Sequence, residues 1–307
     1  MSIALIFSGQ GAQHVGMGKD MAEAYPSVRQ LYDEADDLLQ NGFSSVCFDG
    51  PEEKLTDTSY CQPALFVHGL ALHSILKLEK PDFHASATAG LSLGEFTAHT
   101  AAGTFTFADG LKLVAERGRL MQEACQKSEG GMLTLIGATS QQAVELAEKS
   151  GLEVANYNCP GQIVLSGPKA LIATAVEIGK GMGLKRTIPL NVAGAYHSKL
   201  MKPAQDQLAP QILSATLAMP SVPVYSNVTG RTSSNEVEIR QNLIAQVTSS
   251  VRWEQCITAM IASGTTCFLE LGPGKILAGM CKRINKDIPC LSAGNLEELK
   301  GILHEIN

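Results

Sequence analysis

The chain has 307 residues, with 24 Lys and Arg against 30 Asp and Glu, giving a net charge of −6. An acidic balance argues against nucleic-acid binding, which draws on a basic face. With 45% hydrophobic and 18% charged residues the composition excludes disorder, and a chain this long buries about three quarters of its unfolded surface. The eight cysteines form no C-x-x-C pair, so they read as reduced, mostly buried thiols, with neither a metal nor a disulfide framework expected. The opening Ile3-Ala4-Leu5-Ile6-Phe7 is too short for a signal peptide, and no run of 18 apolar residues follows. A cytoplasmic enzyme, independent of membranes, is expected.

In chain order, Ile3 to Phe7 predicts a buried strand ending in a Gly-rich turn, Ser8-Gly9-Gln10-Gly11. Met21 to Leu39 has helical apolar spacing, and Gln62 to Leu76 is a largely apolar helix with Pro63 near its first turn. His84 to Ala89, small residues ending at Gly90, leads into a helix from Leu93 to Ala102. Strand, turn and helix repeat, as in an α/β layer fold.

From about 124 to 194 the pattern changes. Met132 to Ile136 reads as a strand, Gln141 to Glu148 as a helix, then Val154 to Tyr157 and Ile163 to Leu165 as strands about the turn Asn158-Cys159-Pro160-Gly161. Leu171 to Gly181 reads as a helix and Thr187 to Val192 as a strand. The order β-α-β-β-α-β is ferredoxin-like, so residues 124–194 are expected as a small subdomain inserted in a larger one made of 1–123 and 195–307. The first style then returns: a helix near 201–216, a strand at Val222 to Tyr225, a helix near 252–263 and a strand at Thr266 to Leu271.

Gly90-Leu91-Ser92-Leu93-Gly94 matches G-x-S-x-G. A serine on a sharp strand-to-helix turn needs small neighbours, and the helix N-terminus behind it favours developing negative charge. Ser92 is therefore the candidate nucleophile, and it needs a base. Of the seven histidines, His197 stands apart, in Gly194-Ala195-Tyr196-His197-Ser198, a loop between the last strand of the insert and the next helix. His99 lies seven residues along the helix after Ser92, and His68 and His73 fall within the apolar helix. Two cofactor motifs fail. Gly9-x-Gly11 is followed by His14 where a dinucleotide loop has its third Gly, and Gly274-Lys275 is followed by Ile276 where a P-loop has Ser or Thr.

These residues, with Phe7 to Gln13, Gln62-Pro63-Ala64-Leu65, Glu116 to Gln122, Asn156 to Gln162, His197 to Pro203, Val251-Arg252-Trp253 and Glu270 to Lys275, run nearly the full length of the chain. In that order they resemble the malonyl-CoA:acyl carrier protein transacylases of bacterial fatty acid synthesis, and are similar to the acyltransferase domains of fatty acid and polyketide synthases. The resemblance implies an α/β-hydrolase-like large subdomain with a parallel sheet and an inserted ferredoxin-like small one. It implies Ser92 as the residue that takes malonyl as an ester and His197 as its general base. The backbone carbonyl of Gln246 would orient that histidine, and the backbone N–H groups of Gln10 and Leu93 would form the oxyanion hole. Arg117 would grip the free carboxylate, which a guanidinium can meet with two parallel donors. Tyr196 and Leu93 would favour malonyl over bulkier acyl groups. Leu91 stands where the family usually has His, and Ser8 where it has Pro, so altered packing is expected at the elbow and the Gln10 loop.

The implied substrates are malonyl-CoA and phosphopantetheinylated acyl carrier protein, with no tightly bound cofactor and a monomeric enzyme. A small acidic carrier calls for a local basic patch on an acidic enzyme, for which Lys185, Arg186, Lys275, Lys282 and Arg283 are candidates. Three alternatives stay open at this stage: a serine esterase or thioesterase, a polyketide-pathway acyltransferase of the same fold, and a carrier-docking subunit with a vestigial site.

Overall fold

A computed structural model describes residues 1–40 and 42–306. Its strands are β1 (Ile3–Phe7), β2 (Ala87–Gly90), β3 (Gly130–Ile136), β4 (Glu153–Cys159), β5 (Gln162–Pro168), β6 (Arg186–Leu190), β7 (Val224–Tyr225), β8 (Cys267–Leu271) and β9 (Cys290–Ala293). Five of them form a parallel sheet in the order β7-β2-β1-β8-β9. Strand β1 lies at its centre and all five of its residues are buried, which is why it reads as an unbroken apolar run. The helices Thr58–Glu79 and Leu93–Ala101 pack on this sheet and Phe107–Lys127 packs on them, around an almost wholly apolar core.

Register sets the site. Phe7 pairs with Gly90 on one side and Leu271 on the other, so β1, β2 and β8 end level. The turns that follow them, at Ser8, Leu91 and Gly272, emerge side by side at the carboxyl edge of a parallel sheet, where α/β folds place their ligands.

The remaining four strands form an antiparallel sheet in the order β4-β5-β3-β6, the ferredoxin-like arrangement. Its pleat separates two jobs. Leu133, Leu135 and Leu165 join Ala143, Leu146 and Ala175 from the helices Ser140–Ser150 and Lys169–Gly181 in a small core, while Met132 and Val164 pack into the main core. The backbone of β4 is also tied to the larger unit, by Tyr157 N–H to Val251 O and Val251 N–H to Ala155 O, both 2.8 Å.

One expectation is corrected and one strand was not foreseen. The single helix over 21–39 is two, Lys19–Ala24 and Pro26–Leu39. Pro26 is favoured at a helix start, and it holds the preceding Tyr25 extended, at φ −125°. The edge strand β9 carries no alternation in Cys290-Leu291-Ser292-Ala293, and the sequence reading passed over it. All eight cysteines are free thiols, seven of them buried. Among the described residues, no helix is long and apolar enough to cross a membrane.

Candidate active site

Ser92 ends the turn after β2 and caps the helix Leu93–Ala101, with φ +54° and ψ −107°. A non-glycine residue there is strained and needs its surroundings to hold it. The glycines of the motif make the turn possible. A Cβ on Gly90 would lie 1.9 Å from the Gly94 carbonyl, and one on Gly94 would lie 2.3 Å from Phe7 O. Asn227 then brackets the elbow: its Oδ1 accepts from Ser92 N–H at 2.6 Å and its Nδ2 donates to Gly90 O at 2.8 Å.

His197 also has positive φ, +58°, at the junction after the small sheet. Its Nε2 is 2.8 Å from Ser92 Oγ and its Nδ1 is 2.9 Å from Gln246 O. A carbonyl can only accept, so Nδ1 carries the proton and Nε2 presents its lone pair to the serine. Burial, and then the Arg117 charge, push the imidazole down to about 4. It is a neutral base at neutral pH.

Arg117, on the buried face of the helix Phe107–Lys127, is 1% exposed. It donates to Gln62 Oε1 at 2.6 Å, to Gln246 Oε1 at 2.9 Å and to Ser92 Oγ at 3.0 Å. A fixed guanidinium therefore stands within hydrogen-bond reach of the Ser92 hydroxyl. Arg119, two residues on, faces outward and pairs with Glu116 and Glu123. Ser92, His197 and Arg117 line one cavity of about 310 Å³, with Gln10, Leu93 and Tyr196 on its wall. Leu93 is the first residue of its helix, so its N–H has no intrahelical acceptor. The Tyr196 hydroxyl lies 2.7 Å from Thr58 Oγ1 and accepts from the Gln10 side chain at 3.4 Å.

The other histidines lie elsewhere. His68 Nε2 meets Gly294 O at 2.9 Å and His99 Nδ1 meets Thr104 at 3.0 Å; burial lowers both rings, to about 4 and about 3. Ser8 is buried, and a Cβ on Gly272 would lie 2.0 Å from its Oγ. Leu91 keeps the elbow's backbone bonds, donating to Phe7 O and accepting from Gly94 N–H.

The basic candidates divide. Lys185, Arg186 and Lys282 are exposed, Lys275 pairs with Glu298 at 3.3 Å, and Arg283 donates to Pro160 O and Gln162 Oε1. Register brings Arg186 and Arg283 to one end of the small sheet: Arg186 pairs with Ile136, and Ile136 with Gln162, the acceptor of Arg283.

Three participants escaped the sequence reading as individuals: Gln62, Glu95 and Asn227. Each is a polar residue that the fold almost fully buries. Gln62 inside an apolar helix was the readable signal, since a buried amide there needs a partner.

The acyl transferase domain family matches residues 4–298. The chain is 39% identical over 305 residues to the malonyl CoA-acyl carrier protein transacylase of Bacillus subtilis, covering 97% of this chain and 95% of that one. It is 35% identical to the Haemophilus influenzae enzyme of the same name, with 97% of each covered. The acyl-carrier-protein S-malonyltransferase of Bartonella henselae superposes with a TM-score of 0.94 at 37% identity, over 100% of this chain and 99% of that one. A malonyl-transacylase solved in complex with a holo type II polyketide synthase acyl-carrier protein superposes at 0.93 and 35% identity, over 99% and 100%. The chain thus belongs to the acyl transferase domain family, among its malonyl CoA-acyl carrier protein transacylases.

Proposed function

We propose that this protein transfers malonyl from malonyl-CoA to the phosphopantetheine thiol of acyl carrier protein, through a malonyl ester on Ser92, and so supplies fatty acid synthesis. The observation that carries the acyl specificity is Arg117, a buried guanidinium whose terminal nitrogen lies 3.0 Å from Ser92 Oγ. An acyl group ending in a carboxylate satisfies it, whereas acetyl leaves it facing a methyl group.

The geometry supports the following sequence of steps. His197 Nε2 takes the Ser92 proton as Oγ attacks the thioester carbonyl. The carbonyl oxygen becomes an oxyanion toward the N–H groups of Gln10 and Leu93, each such donor worth about 3 kcal/mol in the transition state. Collapse breaks the C–S bond, and His197 returns its proton to the CoA sulfur. CoA leaves; the carrier's thiol then gives its proton to His197, attacks the ester and releases Ser92 with its proton restored. The Gln246 carbonyl keeps the ring in the one tautomer that does this, without an acid.

Residues 1–123 and 195–307 would form the body and 124–194 the insert, with the acyl cleft between them. Tyr196 and Leu93 narrow that cleft. The protein would act as a cytoplasmic monomer without a tightly bound cofactor or metal, and the carrier would dock on Lys185, Arg186, Lys275, Lys282 and Arg283. Mass spectrometry after mixing with malonyl-CoA should find a malonyl adduct on Ser92 that Ser92→Ala lacks; no adduct overturns the mechanism. A polyketide synthase carrier as acceptor is the second reading, favoured by the complexed structural relative. Comparing transfer to fatty acid and polyketide carriers separates the two. Rapid release of malonate without any carrier would instead indicate a hydrolase.

A further inference from the structure

Glu95 is fully buried, one helical step past the nucleophile's own turn, and no step above uses it. One of its oxygens, Oε2, accepts from two neighbours: Gln246 Nε2 at 2.6 Å and Asn227 N–H at 3.1 Å. Each of these residues holds part of the site. Asn227 brackets the strained elbow through Ser92 N–H and Gly90 O. Gln246 also donates to Ser92 O at 2.8 Å, accepts from Arg117 through Oε1, and orients His197 through its backbone carbonyl. The Gln246 amide has two donors and both are taken, by Ser92 O and by Glu95. Its oxygen must then face Arg117, which as a guanidinium can only donate. A reversed amide would set N–H against N–H at the clamp and oxygen against the carboxylate at Glu95. Glu95 thereby selects the single Gln246 orientation in which the acceptor faces Arg117.

We propose that Glu95 is a positioning residue that, through the Gln246 side chain, fixes Arg117 for the acyl carboxylate and, with Asn227, holds the strained Ser92 turn. This rests on the malonyl-transfer reading, whose own test is adduct formation in the wild-type protein. A buried carboxylate is an unusual choice for a purely structural contact, because burial disfavours its charge and raises it to about 7. Its other oxygen, Oε1, has no partner. The ionisable groups set against it are Arg117 from the helix Phe107–Lys127 and the Cys256 thiol from the helix Trp253–Ala262, and His197 connects to it only through Gln246.

The test compares malonyl and acetyl loading, from malonyl-CoA and acetyl-CoA, in three variants with wild-type circular dichroism. Glu95→Ala frees the Gln246 amide, so malonyl loading should fall roughly 10- to 100-fold, chiefly in kcat, with the malonyl-to-acetyl ratio narrowing at least tenfold. Glu95→Gln keeps an acceptor oxygen for both bonds and should hold that ratio within about threefold of wild type. Gln246→Met retains the carbonyl for His197 but cuts the side-chain link, and should narrow the ratio as Glu95→Ala does. A ratio unchanged in folded Glu95→Ala overturns the assignment, as does a Glu95→Gln variant as unselective as the alanine. Should the alanine variant fail to fold, Gln246→Met decides: full malonyl preference there overturns the proposal, because the path from Glu95 to Arg117 runs through that amide.

Discussion

Replacing Arg117 by Ala should convert a malonyl-selective enzyme into an unselective one, and the structure sets the size of the effect. The guanidinium is buried and fixed on Gln62 and Gln246, so little ordering remains when a carboxylate arrives. Two charge-assisted hydrogen bonds at about 1.5–3 kcal/mol each give a loss of roughly 3–6 kcal/mol. At about 1.4 kcal/mol per tenfold, malonyl kcat/KM should fall by roughly two to four powers of ten. Acetyl makes no such bonds, so its kcat/KM should stay within about tenfold of wild type. The preference for malonyl should then collapse, as happens when a site loses the polar group that recognises its substrate. Arg117→Lys, which keeps the charge but loses the fork, should fall between. Removing Arg117 leaves the oxygens of Gln62 and Gln246 without a donor, at about 1–3 kcal/mol each, so the assay belongs well below the lowered unfolding midpoint. Rapid-quench loading from labelled malonyl-CoA and acetyl-CoA measures both constants on one preparation. Malonyl loading that survives intact, or a parallel fall for both acyl groups, refutes the carboxylate clamp.

The acid limb of malonyl loading should lie near pH 4, where burial holds His197, well below an ordinary histidine; a limb near 6.5 in the pH dependence of kcat/KM would contradict a buried neutral base. Stability should follow the same histidines: His68, His99 and His197 are all depressed in the fold, so the unfolded chain binds protons first and stability is lost as pH falls from 6.5 toward 4. Glu95, raised to about 7, opposes this in part, and a urea midpoint that does not fall between pH 6.5 and 4 would count against the net sign. Gly94→Ala should destabilise the fold or abolish loading, because its Cβ would sit 2.3 Å from Phe7 O, whereas Gly181→Ala, with open space around it, should leave the thermal midpoint unchanged or raised. A Lys185→Glu/Lys282→Glu variant should raise KM for the carrier several-fold and spare loading from CoA; equal loss in both half-reactions would reject the basic patch. Arg283 is the poorer target, since it also fastens the turn at Pro160.

How far the sequence could be read follows from the range of the physics involved. Strand β1, the elbow and the βαββαβ order were legible because each is encoded within a few residues: an apolar run, two glycines about a serine, a change of period. The Pro26 break was also local, and a stricter reading of proline would have found it. The buried acid–amide network was not. Glu95 lies 132 residues from Asn227 and 151 from Gln246, and it meets Asn227 only because β7, which ends two residues before Asn227, pairs with β2, the strand that leads into the elbow. Nothing near Gln246 in the chain marks its side chain as important, and the family resemblance pointed only to its carbonyl.

The same network explains why Ser92 can rest in a strained turn. Positive φ at Ser92 is tolerable only if the turn is held from several directions at once, and the bonds from Asn227 and Gln246 reach Ser92 N–H, Ser92 O and Gly90 O. Gln246 also touches His197 through its carbonyl and Arg117 through its side chain. Ser92, His197 and Arg117 are therefore not three independent placements. They share one buried amide, and a disturbance of any one is transmitted to the others. Effects of substitutions at Ser92, Arg117 and Gln246 should accordingly be non-additive, with the Arg117→Ala/Gln246→Met pair less impaired in malonyl loading than the product of its single effects. Strict additivity in that cycle would show that the clamp and the amide act separately.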